Sequence, residues 1–524
     1  MPSMPRRQTL TLLGRSAAAL ALGSLFGPVA APVSVARPRY GSYPFSLGVA
    51  SGMPRPDSVV LWTRLAPQPQ LPGHGLPDAP LPVRWELADD EGFAQLRASG
   101  ELLALPQHAH SVHVEVRELP PGRSFFYRFI SGDAVSTVGR TRTAPAPDAA
   151  VQRLRLALAS CQHYEHGRYA AHREIAAREL DFVLFVGDYI YESSSRQPVL
   201  RPHDGPEPLT LEAYRRRHAH YKRDPDLQAA HAAHPWLLTW DDHEVQNDYA
   251  DAYSAGLVPP EDFLRRRAAA YKAYFEHMPV SPAMAPDGPA MRIHERFTWG
   301  RLAELWTLDG RQFRSPQACG DGRRGGGRVL MHCSELDDER RTLLGTGQER
   351  WLHEGLRASA RRWKLIGQGS QISSSSVQTP FGRAVYSDAW DGYPRARERL
   401  LAAIAEARVS DVIALGGDVH RHVAAQLRLR PNDARSPILA SEFVTTSLSS
   451  RGIAENTVAM MQRSNPDVVH ARGDQRGYAF VELTPGAALC DFRATDFPLL
   501  ENAPLHSQAR YVVEAGRPGV QHTG

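Results

Sequence analysis

The sequence predicts a layered α/β domain preceded by a small all-β domain of the sandwich type. Three observations carry this expectation. Residues 40–145 hold short runs of β-favouring residues, parted by Pro and Gly clusters such as Pro120-Pro121-Gly122. From Leu154 onward, apolar runs of the buried-strand kind alternate with stretches of helical periodicity. Four of those apolar runs end in a cluster of metal-ligating side chains. Ligand sites of open α/β sheets form outside the carboxyl ends of strands.

The chain has 524 residues, too many for one compact core. Arg6-Arg7 precede an apolar run from Ala17 to Phe26, and Ser34-Val35-Ala36 offers a small-x-small cleavage site. Residues 1–36 are therefore expected to be an export signal. The Arg pair followed by Leu10 resembles a twin-arginine signal, with Thr9 where Phe is usual. An ordinary secretory signal is the alternative. Either leads to the periplasm or the medium. A metal loaded in the cytoplasm favours the twin-arginine export machinery, because the chain must then leave folded. No other stretch reaches the ~18 apolar residues of a membrane span.

Strands are expected at 58–62, 82–87, 112–116 and 125–130, within a β-sandwich over 40–145. Residues 143–148, rich in Ala and Pro, read as a linker into a catalytic domain over 150–495. There, strands at 154–159, 182–186, 236–240, 363–367 and 412–415 alternate with helices at 167–180, 211–221, 260–277, 348–361 and 396–407. The runs Arg215-Arg216-Arg217 and Arg265-Arg266-Arg267 are read as solvated helix faces in preference to anion-steering ones. Residues 496–524 are weakly patterned and expected to be a loose tail.

Net charge is +4, from 61 basic and 57 acidic residues. This near-balance carries no nucleic-acid-binding signature. Cys319 and Cys333 flank a Gly-rich loop. Export to an oxidising space makes a disulfide the expectation, with free buried thiols as the alternative. It closes a loop of about 15 residues, worth ~3 kcal/mol in the chain-entropy model. Cys490 is expected in the core.

The chemistry lies in Ser160-Cys161-Gln162-His163, Gly187-Asp188-Tyr189-Ile190-Tyr191, Asp241-Asp242-His243-Glu244 and Gly417-Asp418-Val419-His420. A carboxylate ending a buried strand, as Asp188 does, is paired or bound to a cation. It can bridge two ions ~3.5–4 Å apart. Tyr191 offers a phenolate for a hard trivalent metal, or else packs. Cys161 offers a soft thiolate, or is a small buried residue. The quartet at 241–244 cannot all face solvent on a strand. One carboxylate toward a metal and His243 toward substrate is an economical use of it. Asn247 is a further oxygen ligand or a loop cap. Asp418 and His420, two residues apart after a glycine turn, are placed to reach two different metals, with a satisfied core histidine as the alternative for His420.

In combination these motifs resemble those of the binuclear metallophosphoesterases. The pattern there is Asp-x-His, Gly-Asp-x-x-Asp or Tyr, Gly-Asn-His-Glu and Gly-His-x-His. The substitutions to Cys161, Tyr191, Asp242 and Asp418 resemble the alkaline phosphatase D (PhoD) family in particular. Its pattern includes Ser-Cys-Gln, Gly-Asp-x-x-Tyr-Glu, Trp-Asp-Asp-His-Glu and Gly-Asp-x-His. Gly48-Val49-Ala50-Ser51-Gly52, Val60-Leu61-Trp62-Thr63-Arg64 and Leu308-Asp309-Gly310-Arg311-Gln312-Phe313-Arg314 share the likeness.

The resemblance implies an αββα metallophosphoesterase-like catalytic domain behind an Ig/fibronectin-like sandwich. It implies one iron, Fe(3+), held by Cys161, Tyr191, bridging Asp188 and His420. It also implies calcium, Ca(2+), held by Asp188, Asp418 and oxygens from Asp242 or Asn247. Carboxylates in place of imidazoles harden that second position toward calcium. The superfamily's lone His has no match; Ser370-Gln371-Ile372-Ser373 is where a counterpart is expected. His163 matches the Asp-x-His spacing, as a ligand or as a group behind the ligands.

The reaction implied is metal-dependent hydrolysis of phosphate esters with alkaline phosphatase activity, by in-line displacement at phosphorus. His243 contacts the phosphate or protonates the leaving oxygen, with Asp241 or Glu244 as its acid–base partner. Small-molecule phosphate esters are the expected substrates. Polymeric phosphodiesters, cleaved in a phospholipase D-type reaction, are the alternative. An inactive, metal-stabilised extracellular binding protein is the remote one.

Overall fold

The computed structural model describes residues 37–322 and 324–523. The leader expected at 1–36 lies outside the described residues.

Two large sheets organise the chain, one of ten strands and one of seven. In the first, Leu154–Ala159, Phe182–Val186 and Pro235–Thr239 run parallel. In the second, Ala303–Thr307, Trp363–Gly367, Val412–Gly416 and Ile438–Val444 do. Phe182–Val186, Pro235–Thr239, Trp363–Gly367 and Val412–Gly416 are buried at every residue. Strands covered on both faces read as continuous apolar runs, which is why the sequence revealed them.

One apolar core draws on both sheets. Leu156, Leu184 and Trp236 of the first join Trp363, Leu365, Ile413 and Leu415 of the second. A second core sets Trp306, Ile366 and Ala414 against Leu352, Leu356, Leu400 and Ile404. The last four come from helices Thr346–Ala358 and Pro394–Glu406. Side chains alternate across a strand, so neighbours such as Leu365 and Ile366 serve different cores.

Helix starts follow local chemistry. Pro opens Pro225–Ala233, Pro260–His277 and Pro394–Glu406. Thr210 and Asp224 cap their helices through side-chain oxygens. The helix expected at 167–180 is shorter, Ala170–Ala177. Gly167 is extended and bridges to Leu499, where a Cβ would stand 2.7 Å from the Leu499 side chain.

Three expectations need correction. First, the β strands of residues 49–142 do not pair only among themselves. Val49–Gly52 pairs in parallel with Pro235–Thr239, so it, Val59–Arg64 and Ser111–Val116 extend the ten-stranded sheet. A five-stranded sheet around Leu81–Ala88 shares a core with them, including Val49, Leu61, Val83, Leu87, Val114 and Phe129.

Second, 496–524 is no loose tail. His506–Glu514 and Arg517–His522 are edge strands of the ten-stranded sheet. They bury Tyr511, Val513 and Val520. Each holds too few apolar residues to show a period alone; pairing with Ala487–Asp496 supplies the register.

Third, the Arg runs clasp elements together. Arg215 pairs with Glu276, Arg266 with Glu207 and Arg267 with Asp251. Buried Arg217 donates to the carbonyls of Tyr191 and Glu192. Only Arg216 and Arg265 of these runs are exposed.

Cys319 and Cys333 form the expected disulfide, with Cα atoms 6.1 Å apart. Cys161 and Cys490 are buried and free. Among the described residues, no helix is long and apolar enough to cross a membrane.

Lys222 is buried, its ammonium 4.3 Å from the centroid of the Trp62 ring. Burial drives its pKa down to about 7. The unfolded chain keeps this proton up to the ordinary lysine value. Between those pH values the unfolded state binds more protons, so stability rises with pH. Lys222→Met is expected to raise Tm at pH 7 and to flatten the climb in stability toward pH 10. Equal pH slopes in the two proteins would contradict this.

Candidate metal centre

The four motifs meet because the strands that carry them are neighbours or lie in facing sheets. The backbone bends sharply just past those strands. Cys161, Asp188, Asp418 and His420 take φ values of 60°, 58°, 65° and 51°. Such left-handed conformations cost on the order of 1–3 kcal/mol each outside glycine and persist where surrounding contacts over-determine them. Two glycines permit the crowding. A Cβ on Gly187 would stand 2.5 Å from Asp241 Cβ, and one on Gly417 2.5 Å from Ser160 Oγ.

Ligand atoms of Cys161, Asp188 and His420 lie within 4.8 Å of one another. Tyr191 joins them: its hydroxyl donates to Asp188 Oδ2 at 3.0 Å and is 3.1 Å from His420 Nε2. His420 Nδ1 donates to the Arg451 carbonyl at 2.7 Å, which turns Nε2 toward the cluster. A second group of the same kind is Asp188, Asp242 and His243. Asp188 belongs to both. Asp418 Oδ2 accepts from Ser370 Oγ at 3.1 Å, so the 370–373 segment reaches the site through a hydroxyl. A third group, Asp242, Asp248 and Asp388, continues from the second.

Crowding shapes the electrostatics. Burial, reinforced by Asp188, pushes the Cys161 thiol well up. Burial, with Asp188 and Cys161, does the same to the Tyr191 phenol. Burial also raises Asp188, where Asp242, Asp241 and Glu244 add to it against His243. It raises Asp418, with Asp241 and Asp242 adding to it. Burial and Arg476 lower His420 to about 3, leaving the neutral imidazole that ligates metals.

Burial and then mutual repulsion disfavour charge on these acids, and their deprotonated forms call for cations. Asp188 Oδ1, Asp241 Oδ2 and Asp242 Oδ1 are buried without a hydrogen-bond partner. Thiolate, phenolate and imidazole on one side, and carboxylates on the other, are a donor set that fits two unlike metal ions.

Two role expectations are overturned. The partner of His243 is Glu192, whose Oε2 lies 2.7 Å from Nδ1. Asp241 instead accepts from Arg311 Nε. Glu244 instead accepts the backbone N–H groups of Asp188, Tyr189 and Asp241. Each carboxylate goes to the strongest unpaired donors beside it: a buried guanidinium, or orphaned backbone N–H groups. Burial opposes charge on His243, but Glu192, Asp242 and Asp188 raise its pKa well above the ordinary value. Its ring stacks 4.1 Å from that of Tyr191. Asn247 enters through its backbone N–H, which donates to Glu192 Oε1 at 2.8 Å. The His163 ring lies tilted 4.4 Å from that of Tyr191 and belongs to a separate group with Glu165 and His203.

The sequence reading missed Glu192, Asp248, Arg311, Asp388 and Ser450. Glu192 had a signal, since it directly follows Tyr191 in a motif. Asp248, Asp388 and Ser450 lie outside the motifs in irregular segments. Arg311 is fully buried and binds Asp241 and Asp388, with Asp242 at 3.6 Å. Arg311→Leu strips Asp241 of its guanidinium and leaves Asp388 with that of Arg314 alone, and is expected to cost about 3–5 kcal/mol. Denaturant unfolding checks this, and a loss below about 1 kcal/mol would contradict it.

Residues 156–492 match the PhoD-like phosphatase family, and residues 30–145 match the PhoD-like phosphatase N-terminal domain. Alkaline phosphatase D of Bacillus subtilis (strain 168) is 42% identical over 494 residues, covering 93% of this chain and 83% of that protein. A solved structure of PhoD superposes with a TM-score of 0.88 at 40% identity and covers 93% of each chain.

Proposed function

The chain belongs to the PhoD-like phosphatase family, and from that premise we propose that its alkaline phosphatase activity runs on two adjoining metal positions sharing Asp188. The observation that carries this reading is Asp188 itself. It sits in both ligand groups, and its Oδ1 is buried without a partner. One position takes iron(III) through Cys161, Tyr191, Asp188 and His420. The other takes calcium through the oxygens of Asp188, Asp242 and Asp418, with the Asn247 side chain as a further donor. When bound, the ions neutralise the phosphoryl oxygens and acidify the attacking water.

The protein's own groups do the rest. Glu192 engages His243 at Nδ1, so the proton at Nε2 is free for a phosphoryl or leaving-group oxygen. Arg217 braces the backbone of Tyr191 and Glu192, holding ligand and partner in one loop. Arg311 occupies Asp241 and Asp388, which leaves Asp242 Oδ1 open to the calcium position.

The two facing sheets with helices outside them we read as an αββα metallophosphoesterase-like domain that runs from about 150 through the last strand, Arg517–His522. The paired sheets before it we read as an Ig/fibronectin-like sandwich. We read residues 1–36 as a twin-arginine leader that delivers the folded chain to the periplasm or the medium. The Cys319–Cys333 disulfide supports an oxidising destination. Replacing Arg6 and Arg7 by Lys is expected to hold the protein in the cytoplasm, and unimpaired export would reject the leader reading.

Elemental analysis of the mature protein, with its visible spectrum, tests the metals. Iron and calcium with a phenolate-to-iron charge-transfer band support the reading. Zinc or manganese without colour rejects the iron position built on Cys161 and Tyr191.

A further inference from the structure

We propose that Ser450 is a positioning residue for the Tyr191 ligand, its hydroxyl donating a hydrogen bond to the phenolate oxygen and setting how strongly that oxygen donates to the metal. This rests on the iron reading above. Ser450 is buried, and its Oγ donates to Tyr191 Oη at 2.8 Å. The same Oγ accepts the His163 N–H at 3.0 Å. The three groups form a chain, and a hydroxyl that accepts one hydrogen bond donates a stronger one.

The seat of Ser450 is rigid. Its segment follows strand Ile438–Val444 and is stitched to the first motif. Leu448 N–H donates to the Ser160 carbonyl, and Ser449 Oγ to the His163 carbonyl, both at 2.9 Å. Arg476 Nη1 donates to the Ser450 carbonyl at 3.1 Å and to the His420 carbonyl at 3.0 Å. One guanidinium thus ties the Ser450 loop to the segment bearing a metal ligand.

Ser450 has one proton and two acceptors. The other acceptor is the Cys161 carbonyl, at 2.7 Å. A charged acceptor makes a hydrogen bond about twice as strong as a neutral one. When Tyr191 ligates as a phenolate, the proton therefore goes to Tyr191 Oη. Groups behind metal ligands tune the metal in this manner, by drawing electron density from the ligand atom.

The experiment is spectroscopic. In Ser450→Ala with iron bound, the phenolate-to-iron band is expected at longer wavelength, because an unbonded phenolate gives up its electron more readily. Ser450→Thr keeps the hydroxyl and is expected to keep the wild-type band. An unmoved band in the iron-loaded Ala variant, or an equal shift in the Thr variant, overturns the proposal. If Ser450→Ala does not fold or hold iron, the wild-type protein decides. Its resonance-Raman phenolate C–O band is expected to shift on transfer to D2O, and no shift overturns the proposal. A wild-type protein with no phenolate band overturns the iron reading and this inference together; a band that ignores Ser450 overturns this inference alone.

Discussion

Asp188→Asn is expected to lose its metals and at least about 10⁴-fold of its phosphatase activity, the equivalent of several kcal/mol of transition-state stabilisation. Asn keeps the shape of the side chain but not the charge that the proposed bridge between two cations needs. It also tolerates the left-handed backbone at this position, φ 58°. Burial already raises the Asp188 pKa well above the ordinary value, so burial works against its charge in the metal-free protein. Removing the charge should then cost the metal-free fold little. Adding iron and calcium should raise the Tm of the wild type by mass action and leave that of the variant unchanged. A variant that keeps both metals and a tenth of its activity would refute the shared-ligand role. An unfolded variant would show that the carboxylate is needed for the fold and not only for the ions.

Glu192→Gln should lower kcat by about 10–100-fold while the iron colour stays, the usual cost of losing a group that orients a functional one. His243→Gln should cost more, on the order of 10²–10⁴-fold, if Nε2 carries the proton to the leaving oxygen. The double variant should fall no further than His243→Gln alone, because Glu192 acts through the ring. Glu192 is buried, with Oε2 on His243 and Oε1 on the Asn247 N–H, so Gln retains its shape and one acceptor. Two results would sink the pairing. One is full activity in Glu192→Gln. The other is a double variant that loses the product of the two single effects. Loss of iron from His243→Gln would instead make His243 a ligand.

Much of this molecule was legible before its structure. The buried strands announced themselves as apolar runs ending in Cys161, Asp188, Asp242 and Asp418, because a strand covered on both faces has no polar side to show. Helix Pro260–His277 was readable to the residue, with Pro at its first position and the helical period along its length. The N-terminal strands were read close to where they lie, but their pairing was not, nor was the C-terminal hairpin. A strand states which face is apolar, but not which strand lies beside it. Val49–Gly52 therefore gave no sign of joining Pro235–Thr239, nor His506–Glu514 of completing the ten-stranded sheet.

At the site, the sequence alone determined that Cys161, Asp188, Tyr191, Asp242, Asp418 and His420 are gathered, since each follows its strand within a few residues. Only the tertiary structure decided what each carboxylate does. Asp241, Asp242, His243 and Glu244 are consecutive, yet they face Arg311, the second ligand group, Glu192 and three backbone N–H groups respectively. The hydrogen-bond partners among them lie between 3 and 70 residues away in the chain. A buried charge takes the role of whatever opposite charge or unpaired donor the fold brings within about 3 Å. That distance exists only once the chain has closed around it.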